Sequence, residues 1–210
     1  MATRPCLFEG RKRTRLAEDG IKKLKENADA LISIPGENMF HMTAQTVTLP
    51  GLFSSMDIML ASHYGQIIDS VNKLIHTEGV INLDLDDVAS VIKDCGDAVI
   101  SVGRASGEKR AALAACAALL TPLPERTLDG AGKLLLSIAG GANTELPEII
   151  EINEYITNAI DREKGDCIWG YNIDESLGDS LEVMLIATNF DSYASGRAGN
   201  AIREIREASE

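Results

Sequence analysis

The chain has no Cys-x-x-Cys pair and no apolar run that approaches the roughly 18 residues of a membrane span. Cys6, Cys95, Cys116 and Cys167 lie far apart, and His41, His63 and His76 keep no ligand spacing with them, so no metal centre is indicated and reduced thiols are expected. No leader-like segment opens the sequence, and no internal repeat or low-complexity tract interrupts it. Basic residues are in deficit, 20 against 32 acidic, and the net charge of -12 argues against a nucleic-acid or anionic-membrane partner. A soluble, cytoplasmic protein without direct membrane contact is the expectation. One stretch runs against the acidic balance: Arg11, Lys12, Arg13, Arg15, Lys22, Lys23 and Lys25 make the amino-terminal edge basic, either as a solvated helix face or as an anion site.

What is present is periodic. Leu16, Ala17, Ile21, Leu24 and Ala28 fall at helical spacing before the β-rich "ALISIP", where Pro35 stops a short strand. From Thr48, an N-cap candidate with Pro50 in the first turn, Phe53, Met56, Leu60, Tyr64, Ile67, Val71 and Leu74 predict one helix from about Leu49 to about His76. Leu52, Ile58, Met59, Ile68 and Ile75 broaden its apolar arc, which suggests burial between two layers. Beyond it, a helix from Asp84 to about Lys93, "AVISVG" as strand, "GEKRAALAACAALL" as helix, "KLLLSIAGG" as strand, "LPEIIEINEYITNAI" as helix, and "DCIWGYNI" and "LEVMLIATNF" as strands predict a four-stranded sheet packed with helices. The fold class is therefore α+β, and Asp84 to Phe190 is expected to fold by itself. The small, polar and charged tail after Phe190 is expected to be loosely ordered.

The chemistry concentrates in "INLDLDDV". Asp84 and Asp87, three apart at a helix start, suit a cap that satisfies orphan N–H groups at the positive end of the helix dipole. The same spacing puts both carboxylates on one face, where they could hold Mg²⁺ or polarise a water. The residues alone leave both readings open.

The long helix leading into "INLDLDDV", then "GRASGEKRAALAA", "TPL", "GAGKLLLSIAGGANTEL" and "NIDESLGDSLEVMLIATNF", resembles the carboxy-terminal two thirds of FtsZ, the bacterial tubulin homologue of the division ring. The resemblance runs from about Thr3 to Phe190 and keeps the family's motif order. It implies a cell-division GTPase of the filament-forming kind, in which the loop before the helix enters the GTP site of the next subunit. The family's Asn-x-Asp-x-x-Asp falls on Asn82, Asp84 and Asp87, which the resemblance casts as catalytic; Asp86 takes no role. "FEGRKR" matches the family's Phe-Glu-Gly-x-x-Arg, implying Glu9 near ribose and Arg13 near phosphate, and Phe53 and Asp57 match the positions that stack on and hydrogen-bond guanine. The interval from Asp57 to Asn82 is about four residues longer than the family pattern, close to one helical turn of 3.6, and an insertion before the counterpart of Phe53 would slide the guanine contacts by a turn.

The resemblance divides the chain into 1–48, a remnant of the GTP-binding domain, 49–77, the core helix, 78–190, the carboxy-terminal α+β domain with the catalytic loop, and 191–210, a flexible tail. The family's Gly-rich phosphate loop has no replacement here: "GRASGEKR" lacks the Gly-Lys-Ser/Thr of a P-loop, and Gly140-Gly141 suits a tight turn. The implied cofactors are GTP, shared with a partner subunit, and Mg²⁺. The implied partners are FtsZ-type subunits or a complementary amino-terminal GTP-binding half, and the chain alone is expected to hydrolyse GTP negligibly. Two other readings stand beside this one: a noncatalytic module that caps or paces FtsZ filaments, and a small-molecule enzyme on a similar sandwich, for which no nucleophile–base set is visible.

Overall fold

The computed structural model describes residues 1–42, 48–76, 79–120, 128, 130–159 and 166–190. The tail expected to be loose lies outside the described residues. Strand β1 (Ala2–Arg4) leads through a 3-10 turn (Leu7–Glu9) into helix α1 (Arg11–Lys25). Two short strands, β2 (Ala30–Leu31) and β3 (Ser33–Pro35), precede α2 (Gly36–Met42) and the long α3 (Leu49–His76). There follow α4 (Leu85–Ile92), β4 (Gly96–Ser106), α5 (Arg110–Leu119), β5 (Ala131–Gly140), α6 (Leu146–Ala159), β6 (Asp166–Ile173) and β7 (Ser180–Phe190).

The four strands predicted after Asp84 are present, and β2 adds a fifth at the edge, giving the order β2-β4-β7-β5-β6. β4 and β5 both run antiparallel to β7, whereas β5–β6 and β2–β4 are parallel pairs. Separately, β1 pairs with β3. The apolar run "LEVMLIA" in β7 reflects a sheet buried on both faces. Leu181, Val183, Leu185 and Ala187 point to the cluster that includes α5 and α6, and the intervening Met184 and Ile186 point to the cluster that includes α3 and α4. Close packing of α5 rests on small residues. A Cβ at Gly103 of β4 would stand 2.2 Å from the Ala114 carbonyl oxygen, and Ala111, Ala114, Ala115 and Ala118 line the same contact.

The second cluster changes the expectation that Asp84 to Phe190 folds by itself. Ile32, Ile34, Leu52, Met56, Ile67 and Leu74 share it with Leu135, Met184 and Ile186, so the earlier segments cover one face of the sheet. Without them that face would meet water, and the segment is not expected to unfold cooperatively alone.

Thr48 caps α3 as its spacing implies, with its Oγ1 accepting from the Gly51 N–H at 3.3 Å. The broad arc of α3 is not buried on both sides, however. Leu52, Met56, His63, Ile67, Ser70 and Leu74 are buried, whereas Ile58 and Ile68 are 70% and 57% exposed. Ser70 belongs to the inner stripe because its hydroxyl donates to Glu182 of β7 at 2.9 Å.

His63 is buried within the helix, and its Nε2 meets no partner among the described residues. Burial lowers its pKa below the ordinary 6.5. Protons therefore bind the unfolded chain first. The contribution of His63 to stability is complete above pH 6.5 and is lost as pH falls from 6.5 through the lower folded value. Urea midpoints of the parent should drop between pH 7.5 and pH 5, and His63→Leu should flatten that part of the profile; an unchanged slope would contradict this assignment.

Candidate functional site

Two groups of predicted site residues form two separate features. The first is a cleft of about 370 Å³ lined by Glu9, Arg13, Phe53 and Asp57 together with Arg4 and Met39, among others. It brings together residues from β1, the 3-10 turn, α1, α2 and α3. Gly10 makes this possible. At φ +95°, a conformation that L side chains rarely adopt, it turns the chain from the 3-10 turn straight into α1. Glu9 and Arg13 thereby pair across the bend, and the other Glu9 oxygen accepts from the Cys6 N–H at 2.8 Å. Phe53 has an aromatic neighbour: Phe8 packs on it with ring centroids 6.4 Å apart, and Phe40 packs on Phe8 at 6.1 Å. Cys6, fully buried here, is an inert thiol whose pKa is raised by burial first and by the nearby Glu37 and Glu9 charges second. Chemically the cleft offers an aromatic ring, a carboxylate beside it, and a guanidinium at its rim.

The second feature is the acidic turn ahead of α4. Asp84 is the N-cap, with φ -99° and ψ 175°; its Oδ1 accepts from the Asp87 N–H at 2.8 Å, and the Asp87 carboxylate accepts from the Asp84 N–H at 3.0 Å. This is the reciprocal capping box implied by the spacing. Each carboxylate gives one oxygen to the cap and leaves its second oxygen outside it. Asn82 faces backward, its side-chain oxygen accepting from the Gly79 N–H at 3.2 Å, so it closes the loop. The far end of α4 is tied to the sheet by Lys133, whose Nζ donates to the Ser90 carbonyl at 2.7 Å, and by buried Thr188, which donates to the Val91 carbonyl at 2.8 Å. Groups at both helix ends thus find partners, and the turn rides on an element tied to the sheet.

The strand β6 carries the other side of the turn. Val80 and Ile81 both donate to the Tyr171 carbonyl, at 2.9 and 3.2 Å, and the Tyr171 N–H donates to the Ile81 carbonyl at 3.0 Å. Three residues on, Asp174 forms an ion pair with Lys73 of α3 at 2.7 Å, and this partner lowers the Asp174 pKa. The turn therefore sits at the carboxy-terminal end of α3. Phe53 and Asp57 sit near its amino-terminal end, and the 19 helical steps from Asp57 to His76 span about 28 Å. One chain cannot close its own turn onto its own cleft. Sequence reasoning missed Arg4 and Met39 in the cleft and Gly170 and Tyr171 beneath the turn, because none of them lies in a motif near the residues it supports. Among the described residues no group of three or more His, Cys, Asp or Glu could hold a metal ion.

Residues 96–191 match the model of the FtsZ family, C-terminal domain. Similar solved structures include FtsZ from M. jannaschii, solved as an empty dimer, with 30% identity and a TM-score of 0.69 over 89% of this chain and 52% of that one. A point mutant of the M. jannaschii protein matches with 30% identity and a TM-score of 0.69 over 90% of this chain and 55% of that one. CetZ1 from Haloferax volcanii, a GDP-bound monomer, has 13% identity and a TM-score of 0.63 over 99% of this chain and 59% of that one, a likeness of fold. The chain spans about half the length of the FtsZ structures it matches.

Proposed function

We propose, for a chain that carries the carboxy-terminal domain of the FtsZ family at residues 96–191, that its acidic turn completes GTP hydrolysis on a neighbouring FtsZ-type subunit of a filament. The observation that carries the reading is the separation of the two features. Glu9, Arg13, Phe53 and Asp57 share one cleft at the start of the 28-residue α3, and Asp84 and Asp87 stand at the start of α4, beside the opposite end of α3. In such an arrangement the nucleotide lies between subunits, and assembly gates catalysis.

Hydrolysis joins a water oxygen to the γ-phosphorus and breaks the bond to the β–γ bridging oxygen, releasing GDP and phosphate. The reaction asks the protein mainly for positioning and charge stabilisation. Asp84 and Asp87 would accept hydrogen bonds from that water and hold it in line through the oxygens left outside the cap. Asn82 supports the loop from within. Mg²⁺ bound to the phosphates would neutralise part of their charge. At the cleft, Phe53 offers a face for a base, Asp57 an acceptor for its N–H groups, and Arg13 a charge for phosphate oxygen, although its pairing with Glu9 must open or rotate first. A division role in the cytoplasm follows from the same reading.

Calorimetric titration of the chain with GTP and Mg²⁺ tests the cleft. Weak binding is expected, abolished by Phe53→Ala and weakened about tenfold or more by Asp57→Ala, since a lost hydrogen bond to a charged group is worth about 1.5–3 kcal/mol. Binding that survives both substitutions would sink the nucleotide assignment of the cleft. The noncatalytic reading, a module that paces FtsZ filaments, predicts altered assembly without altered turnover per subunit.

A further inference from the structure

We propose that Gly170 of β6 is a positioning residue for the acidic turn, because the absence of a side chain there lets the segment Ile81–Leu83 lie directly on the strand edge. The inference rests on the function proposed for Asp84 and Asp87. A Cβ built at Gly170 would stand 2.6 Å from Leu83 Cγ and 2.7 Å from the Ile81 carbonyl oxygen. The second contact is with backbone, so a side chain at 170 displaces the segment itself and not merely a flexible tip. That carbonyl is the acceptor for the Tyr171 N–H, within the antiparallel bridge Ile81↔Tyr171 that closes the edge of β6. Leu83, 6% exposed, is the apolar anchor of the same segment, and Asp84 follows it immediately.

The approach is close from both sides. A Cβ at Gly79 would stand 2.1 Å from Asn172 Oδ1 and 2.9 Å from the Tyr171 carbonyl oxygen. Two glycines, one on each strand of the bridge, thus bring the turn onto β6. Neither touches a carboxylate, and Asp84 and Asp87 keep their cap whatever happens at 170, since the capping box is internal to α4. What a side chain changes is where the capped helix start sits relative to the rest of the subunit. A displacement of about 1 Å is enough to cost on the order of 10²-fold in a reaction that depends on in-line geometry.

The test compares Gly170→Ala and Gly79→Ala with Gly103→Ala, which clashes with α5 on the other face of the sheet, and with Asp84→Asn. Each full chain is mixed, well below its unfolding temperature, with GTP and FtsZ subunits whose own acidic turn has been neutralised by Asn substitutions. Phosphate release gives kcat and KM for GTP, and hydrogen exchange follows the Val80, Ile81 and Tyr171 amides. Gly170→Ala should speed exchange at those amides and lower kcat by about 10²-fold with KM nearly unchanged, whereas Gly103→Ala should lose stability and keep kcat. Gly79→Ala should behave like Gly170→Ala, and adding Asn172→Ala should restore part of its kcat by removing the nearer clash. If Gly170→Ala fails to fold, the Gly79→Ala pair decides alone. Faster exchange with intact kcat, or equal kcat losses in Gly170→Ala and Gly103→Ala, overturns the inference while a loss in Asp84→Asn upholds the role of the carboxylates. An intact kcat in Asp84→Asn overturns that role and the inference together.

Discussion

In mixtures with an amino-terminal FtsZ half and GTP, Asp84→Asn is expected to lower phosphate release by about 10²-fold, the scale of a positioned acid–base group, and to move stability by about 1 kcal/mol or less. The two effects separate because the cap and the chemistry use different properties of one side chain. Asp84 Oδ1 accepts from the Asp87 N–H, and an amide oxygen accepts equally well. Only the charge at the helix start is lost, worth about 0.3–1 kcal/mol. Asp87→Asn keeps an acceptor for the Asp84 N–H and should behave alike. Asp86, exposed in the first turn and outside the capping box, should tolerate Asn with turnover nearly intact. Steady-state phosphate release beside urea midpoints for the three variants gives the comparison. Equal turnover in all of them, with a large stability loss at Asp84, would return these carboxylates to helix capping alone.

Arg110→Ala should destabilise the chain by about 3 kcal/mol, the low end of the cost of removing one member of a buried ion pair, because Glu148 is only partly buried. Arg110 opens α5 and is 8% exposed. Its Nε and Nη2 donate to the two Glu148 oxygens at 2.6 and 2.8 Å. Its Nη1 donates to the Asp179 carbonyl at 3.0 Å and its Nη2 to the Asn143 carbonyl at 3.1 Å. One guanidinium therefore ties the start of α5 to the start of α6 and to the loops entering α6 and β7. The hydrogen bond from Arg110 is the main cause that holds the Glu148 pKa below its ordinary 4.5. That share of stability is full above pH 4.5 and is lost as pH falls through the folded value. Alanine leaves the Glu148 carboxylate partly buried without its cation. Arg110→Met combined with Glu148→Gln should recover much of the loss, because no charge is then left unpaired. Urea midpoints for the single and double variants test this, and a single-variant loss below about 1 kcal/mol would contradict the clasp.

Periodicity made the long elements legible. The limits of α3 and β6 follow directly from their repeating apolar positions, and the reciprocal Asp84–Asp87 cap follows from two residue types three apart. The pairs β1–β3 and β2–β4 were not legible, because strands of two or three residues are too short to carry an alternation. The same is true of α2, which has barely two turns. In α3 the spacing found the stripe but not its centre: Ser70 and His63 are buried where apolar neighbours would suggest Val71 and Tyr64. A hydrogen bond to Glu182, 112 positions away, decides the matter for Ser70, and no local pattern encodes such a partner. For the site, resemblance identified four cleft residues that the fold does bring together. Gly170 and Arg110 escaped notice for one reason: a glycine in a strand and an arginine at a helix start look ordinary until the segments crossing them are known.

The most direct measurement mixes this chain with FtsZ subunits whose own acidic turn has been neutralised by Asn substitutions, and follows phosphate release as the chain is added. Those subunits lack the carboxylates that, under the proposal, a neighbour supplies. If the acidic turn acts between subunits, release should rise and saturate with the parent chain, and the Asp84→Asn, Asp87→Asn double variant should bind the same subunits without raising it. No rise with a parent chain that demonstrably binds them, or an equal rise with the double variant, would contradict the account.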